Sequence, residues 1–156
     1  MKKILIILIL YLTSCGYQPI YLKKKLNNSE FNKITLNGNL EINRKIIKSV
    51  PIKKNESSLS NNELILESSY NLDGTSKNSK GEVTSYRSTV TVNLIIQNNN
   101  EKIKSKSFIK DFSYNTTNNK FDLVKYQKEI KNNLVNEIIK DIIIYISLEW
   151  LLSFMN

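Results

Sequence analysis

Three stretches of alternating apolar and polar residues dominate the middle of the chain, at 64–72, 89–96 and 108–114. In residues 89–94 every second residue is Val or Leu, and Thr or Asn occupies the positions between them. A period of two with β-branched residues is typical of a strand that is buried on one face. The pattern predicts three antiparallel strands, joined by a long polar hairpin loop at 73–81 and a tighter turn at 98–100.

Two helices are predicted around these strands. Apolar residues recur at three- and four-residue spacing from Leu123 to Tyr145, which indicates a long amphipathic helix. Asn119 can cap it, and Asp122 lies in its first turn, where a negative charge is favourable. A shorter amphipathic helix is predicted at 40–50, ended by Pro51 and preceded by a turn or helix cap at 37–39.

A short first strand is predicted at 31–36, so the order of elements is β-α-β-β-β-α, and residues 53–62 form a polar loop. We therefore expect an α+β two-layer sandwich, in which two helices cover one face of a mixed four-stranded sheet. The strands on either side of the first helix should be parallel, and the other pairs antiparallel. The second sheet face, which carries Thr89, Thr91 and Asn93, would be free to meet a partner.

The N-terminus has the features of an export signal. Lys2 and Lys3 precede an apolar run at 4–12, which is too short for a membrane-spanning helix and typical of a signal peptide. The run ends in Leu-Thr-Ser-Cys, which resembles the bacterial lipobox. That resemblance implies cleavage between Ser14 and Cys15, a diacylglycerol on the Cys15 thiol and an acyl chain, such as palmitate, on the new amine. The alternative is a buried free cysteine that happens to follow an apolar run.

The residue types that are missing narrow the chemistry. The chain has no His, and Cys15 is its one Cys, so disulfides within the chain, Cys–His metal sites and Cys or His nucleophile–base pairs are excluded. We expect no catalysis, no metal and no cofactor apart from the lipid on Cys15. A hydrolase that recruits Glu67 or Glu82 is an alternative, but the sequence pairs neither with a second carboxylate.

The net charge of +9, or +7 once Lys2 and Lys3 are removed, indicates compositional drift or an anionic partner. Export argues against nucleic acid and leaves phosphorylated lipid or an anionic membrane surface.

Three motifs carry a resemblance to a known family. Residues 15–21 read Cys-Gly-Tyr-Gln-Pro-Ile-Tyr, residues 85–87 read Ser-Tyr-Arg before an alternating strand, and residues 112–114 read Phe-Ser-Tyr before a polar turn and the terminal helix. Together with the element order over residues 15–146, they are similar to the lipopolysaccharide-assembly lipoprotein family, LptE, in its alphaproteobacterial form. The chain departs from that family in its many Asn and Lys residues and its apolar end.

In many Gram-negative bacteria, Asp directly after the lipidated cysteine keeps a lipoprotein at the inner membrane. Gly16 stands there in this chain, so the resemblance implies a lipoprotein on the periplasmic side of the outer membrane. Such proteins plug the lumen of the β-barrel LptD, help it assemble and bind lipopolysaccharide on its way to the cell surface. The chain would divide into a signal peptide (1–14), a lipidated tether (15–30), an LptE-like domain (31–147) and an apolar tail (148–156).

Phosphates of a lipid A headgroup are bound well by charged Lys and Arg donors. Arg87, Lys106 and Lys110 lie on the same or adjacent predicted hairpins, and we expect them to contact lipopolysaccharide. The alternative is an ordinary solvated strand edge. A competing function is that of a free outer-membrane lipid-binding or scaffold lipoprotein, which predicts a pocket and no barrel partner.

Overall fold

The computed structural model describes residues 29–56, 62–99, 101–117 and 119–153. In chain order the elements are β1 (Ser29–Phe31), β2 (Lys33–Gly38), α1 (Leu40–Ser49), β3 (Ile52–Lys54), β4 (Asn62–Lys77), β5 (Val83–Asn98), β6 (Glu101–Asn115) and α2 (Lys120–Ser153). The predicted α+β class, with two helices and a mixed four-stranded sheet, is confirmed.

The main sheet has the order β2-β4-β5-β6. The strands β2 and β4 are parallel on either side of α1, and the pairs β4–β5 and β5–β6 are antiparallel, as predicted. A second sheet was not predicted: β1 pairs in parallel with β3. The sequence pattern had merged β1 with β2 and treated β3 as the start of a loop, because three-residue strands are too short to show a period.

The core lies between the sheet and the two helices, and the period of two in each strand decides which side chains enter it. Alternate residues of β4 and β5 are buried, and their neighbours remain partly exposed. Each such side chain contributes about 1.5–3 kcal/mol relative to an exposed position. The most deeply buried apolar residues are Ile42, Ile46, Leu64, Leu66, Val90, Val92, Leu94, Ile138 and Ile142.

Both helices begin at the predicted caps. The Asn39 side chain accepts a hydrogen bond from the Ile42 amide at 3.2 Å, and the Asn119 side chain accepts one from the Phe121 amide at 3.0 Å. These contacts satisfy amides that have no partner within their helix. At the other end of α1, the amide of Val50 donates a hydrogen bond to the Ile46 carbonyl. Val50 is the residue before Pro51, where the helix has ended.

The predicted polar loop at 73–81 is wrong. The strands β4 and β5 stay paired as far as Lys77 and Val83, with register shifts after Gly74. The turn is short, and the Asn78 side chain accepts hydrogen bonds from the amides of Lys80 and Glu82. Cross-strand hydrogen bonds continue the two strands beyond the core, where neither strand has a buried apolar face. The polar sequence of the hairpin therefore has the pattern of a loop.

The helix α2 runs to Ser153, across the predicted boundary between domain and tail at 147–148. Over the residues that the structure describes, we find no helix with the length and apolar character needed to cross a membrane.

Glu63 is held by three donors on the sheet face away from the helices. Its carboxylate accepts hydrogen bonds from the Thr35 hydroxyl at 2.5 Å and the Gln97 amide at 3.1 Å, and lies 2.9 Å from the Lys33 ammonium. These hydrogen bonds lower the pKa of Glu63 to about 2. Folding therefore stabilises the ionised form of Glu63. This contribution to stability is complete at pH values above the ordinary pKa of 4.5, and it is lost as the pH falls through about 2.

We expect Glu63→Gln to lower the free energy of unfolding by about 1–2 kcal/mol at pH 7, since solvent screening limits the gain. The difference from the unsubstituted protein should vanish near pH 2. Urea unfolding at both pH values measures it. Glu67→Gln is the matched control, because that carboxylate accepts a longer hydrogen bond, 3.4 Å, from Asn37. Equal losses for the two variants would contradict the prediction.

Candidate functional site

The two ends of the sheet are different surfaces. The Asn32 amide donates to the Asn62 carbonyl at 2.9 Å, which places the start of the described chain beside the start of β4. The register puts Asn98 and Glu101 at that same end, which we call the tether end. The β4–β5 hairpin and the end of β6 form the opposite, distal end. The predicted lipidation and cleavage residues, Cys15 and Ser14, lie outside the described residues.

Arg87 lies near the distal end, on the sheet face away from the helices. It is paired in register with Ser113, and its Nε donates to the Ser113 hydroxyl at 3.2 Å. The Asp111 carboxylate is 3.8 Å from the same nitrogen, and both charged side chains are about half exposed. An exposed ion pair at this distance contributes little. The guanidinium can therefore turn towards another anion at small cost.

Lys106 and Lys110 lie on β6, the edge strand, and on its helix-facing side, opposite Leu94 and Val90. The Lys110 ammonium is 2.9 Å from the Asp141 carboxylate of α2. The hydrogen bond to Asp141 raises the pKa of Lys110, which means that the pair stabilises the charged form of this lysine. Lys110 thus joins the edge strand to the helix.

An open groove of about 410 Å³ runs between β6 and the C-terminal part of α2. Lys106 and Lys110 line it from the strand, and Ile144 and Leu148 line it from the helix. The Phe108 ring packs edge-on against Tyr145 on the groove wall, with ring centres 5.9 Å apart. We call this surface the edge groove.

The structure does not bring the three predicted lipopolysaccharide-contacting residues together. Arg87 is level with Ser113, so Lys110 lies about 10 Å and Lys106 about 23 Å further along the strand direction. Arg87 also faces the opposite side of the sheet from both lysines. The contact of each residue with lipopolysaccharide stays a prediction, but one phosphate group cannot bridge all three.

An aromatic cluster at the distal end was not predicted as a site. Tyr114 is its centre, with ring centres 6.0 Å from Tyr86, 6.4 Å from Phe112 and 5.4 Å from Tyr126. Burial raises the pKa of Tyr114, and its hydroxyl forms a 3.3 Å hydrogen bond with that of Ser88. Phe112 and Tyr126 remain 47% and 40% exposed, so the cluster presents an apolar surface to its surroundings.

Two residues of the aromatic cluster, Phe112 and Tyr114, can be recognised in the sequence as aromatic positions on one face of the third predicted strand. Their period of two predicted core positions, and only the placement of α2 decides which of them stays uncovered. Leu72 belongs to the same surface and is 40% exposed, although it shares a predicted face with buried residues. We call Leu72, Phe112 and Tyr126 the distal apolar patch.

The carboxylates considered for hydrolysis lie apart. Glu67 is in the middle of β4, and Glu82 is at the hairpin turn, about 30 Å further along the strands. Glu82 accepts a hydrogen bond from the Asn78 side chain. Within the described ranges, no group of three or more acidic or Cys side chains is arranged to hold a metal ion.

Comparison with known proteins identifies relatives in structure only. No protein-family model matches the chain, and no curated protein does. The crystal structure of rare lipoprotein B from Shewanella oneidensis superimposes with a TM-score of 0.60 at 11% identity, over 80% of this chain and 99% of that one. This chain has the fold of rare lipoprotein B.

Other lipoproteins share the rare lipoprotein B fold with this chain. A minor lipoprotein from Acinetobacter baumannii matches with a TM-score of 0.55 at 16% identity, over 78% of this chain and 92% of that one. A putative lipoprotein from Caulobacter crescentus matches with a TM-score of 0.53 at 11% identity, over 77% and 90% of the two chains. At these identities the likeness concerns the fold.

Proposed function

We propose that this chain is an outer-membrane lipoprotein of the LptE family, which plugs the lumen of an LptD-like β-barrel, helps it assemble and assists the insertion of lipopolysaccharide. Cys15 would carry the lipid anchor on the periplasmic side of the membrane. Support comes from the lipobox, from the motif at 15–21 and from a fold shared with lipoproteins of several bacteria. No bond is made or broken in this role.

The observation that carries the proposal is the sheet face away from the helices. It carries hydroxyl and amide side chains from neighbouring strands together with Ile65, Ile95 and Ile109, and Ile109 is 60% exposed. Two ion pairs, Lys33 with Glu63 and Arg87 with Asp111, offset part of its charge, and the carboxylates of Glu67 and Asp73 lie on the same face. A surface with many hydrogen-bonding groups fits the polar interior of a large outer-membrane barrel. The polar residues at its centre are Thr89, Thr91, Asn93, Ser105 and Ser107.

The distal end supports contact with lipopolysaccharide. Arg87 offers planar donors that suit a phosphate, and the distal apolar patch lies on the other side of the same sheet end. A molecule with phosphates and acyl chains presents both chemistries together. This end is also the one furthest from the start of the chain, so it would point away from the lipid anchor.

A free lipid-binding or scaffold lipoprotein is the second candidate. The volume of the edge groove, about 410 Å³, lies within the usual range for small-molecule sites of about 300–1,000 Å³. The groove is open along its length, however, and does not enclose a ligand as a lipid carrier would. We therefore favour the barrel plug.

Purification of the tagged mature protein from outer membranes in mild detergent tests the proposal. We expect one large β-barrel at a one-to-one ratio. Asn93→Arg, at the centre of the polar sheet face, should abolish co-purification, because a long charged side chain would separate the face from the barrel wall.

The matched control is Asn136→Arg on the exposed side of α2, which should retain the barrel. Recovery of the lipoprotein alone, under conditions that preserve other barrel complexes, would overturn the plug in favour of a free lipid-binding role. Equal loss with both variants would show that the sheet face is not the contact surface.

A further inference from the structure

We infer that the edge groove and the C-terminal end of α2 form a second membrane contact, which lies in the interface of the leaflet that holds the Cys15 lipid. The surface combines exposed apolar side chains with lysines at its rim. The chemistry it fits is that of a phospholipid surface with anionic headgroups. Residue contacts, helix composition and the position of the chain start each support the inference.

The composition of α2 changes along its length. Its first part, up to Asp141, alternates charged and apolar residues as a surface helix does, but between Ile142 and Ser153 the only charged residue is Glu149. A helix segment with so few charged residues is favoured by an apolar environment on more than one side. The sheet covers only one side of it, because Ile142 and Ile146 are buried while Ile144 and Leu148 are 43% and 55% exposed.

The lysines of the edge strand complete an interfacial surface. Lys106 and Lys110 lie beside Ile144 and Leu148 in the edge groove. Lysine side chains place their carbon chains along apolar surface and their charge at the headgroups. Lys110 is already paired with Asp141, so Lys106 supplies the charge that an anionic membrane surface attracts. Lysines on an edge strand also discourage the addition of a strand from another protein, so a lipid surface fits the groove better.

The fold places this surface on the side of the lipid anchor. The helix α2 runs antiparallel to β6, since Tyr126 contacts Tyr114 near the end of the strand and Tyr145 contacts Phe108 further back. Its C-terminal part therefore points to the tether end, where the described chain begins at Ser29. Residues 15–28 can span at most about 50 Å, and they join the anchor to the tether end rather than to the distal end.

The inference rests on the proposed lipidation for its orientation and goes beyond the proposed plug. A plug whose anchor lies outside the barrel must have one end at the periplasmic mouth, next to the inner leaflet. A second contact there would fix the tilt of the domain, which attachment at a single point leaves free.

The single Trp of the chain, Trp150, is a natural reporter of this contact. The lipidated full-length protein would be reconstituted in vesicles of phosphatidylethanolamine and phosphatidylglycerol, whose acyl chains carry bromine near the headgroup end. We expect Trp150 fluorescence to fall about twofold relative to unbrominated vesicles, because an interfacial helix buries its apolar face at the headgroup–acyl boundary. Ile144→Glu combined with Leu148→Glu should abolish the quenching.

Val124→Glu is the matched control, because Val124 is 65% exposed on the distal part of α2 and should leave the quenching unchanged. Lys106→Glu should weaken quenching in anionic vesicles and have no effect in purely zwitterionic ones. Absence of quenching in the unsubstituted protein, or its persistence in the double variant, overturns the inference. So does a dimer that is lost in the double variant, since a second copy would then occupy the groove.

The vesicles contain no barrel, so the result is independent of the plug. Mass spectrometry of the same sample reports whether Cys15 carries its lipid, which separates a failed anchor from a failed second contact.

Discussion

Cys15→Ala is expected to leave uncleaved precursor in the inner membrane, with no lipid attached to any of the protein. The thiol is the nucleophile that accepts the diacylglycerol, and the alanine methyl group has no equivalent chemistry. The precursor would then keep residues 1–14 and remain at the inner membrane, where the signal peptide is normally removed. Membrane fractionation, together with mass spectrometry of the intact protein, measures both the location and the retained signal peptide.

Gly16→Ala is the control for Cys15→Ala. It alters the neighbouring residue but keeps the thiol and a small side chain, so processing should continue. A mature, correctly located Cys15→Ala protein would refute the lipobox and with it the lipid anchor.

Gly38→Ala is expected to lower the free energy of unfolding by about 2–4 kcal/mol, because it combines backbone strain with a collision. Gly38 has a φ of +80°, and a Cβ there would collide with the Ser68 carbonyl oxygen. That oxygen accepts a 2.9 Å hydrogen bond from the Asn39 amide, and the Ser68 hydroxyl donates one to the Asn39 carbonyl. The substitution therefore disturbs the cap of α1 and its attachment to β4. Urea unfolding measures the loss.

Gly81→Ala separates strain from collision. Gly81 has nearly the same φ, +82°, but a Cβ there meets nothing within 4 Å. Its loss should stay near 1 kcal/mol, the usual cost of a left-handed conformation without glycine. If both variants lost the same stability, the contact with Ser68 would have no part in the effect.

The fold was predictable where one face of an element is buried. The alternation in residues 89–94 and the helical spacing after Leu123 are direct consequences of a core on one side, so β5 and α2 followed from the pattern. The hairpin beyond Gly74 has no buried face, and its backbone pairing leaves no trace in hydrophobicity. The pair β1–β3 depends on contacts between distant segments, which a local pattern does not contain.

The candidate site was predictable only in part, for a related reason. Lys110 is two residues from both Phe108 and Phe112, so the period of two places it on the same, helix-facing side of the strand. Arg87 is two residues from Thr89 and shares the other side with it. The position of each lysine relative to α2 was missing from the sequence pattern. The ion pair of Lys110 with Asp141 joins residues whose proximity only the packing of the helix determines.

The strand β1 has a mechanical consequence. Phe31 is buried, its carbonyl accepts the Asn55 amide, and the strand lies parallel to β3. A pull on the chain upstream of Ser29 that is directed along the axis of this strand would load its hydrogen bonds in shear, so they would have to break together. In that direction the domain can bear tension at its N-terminus without peeling open from Ser29.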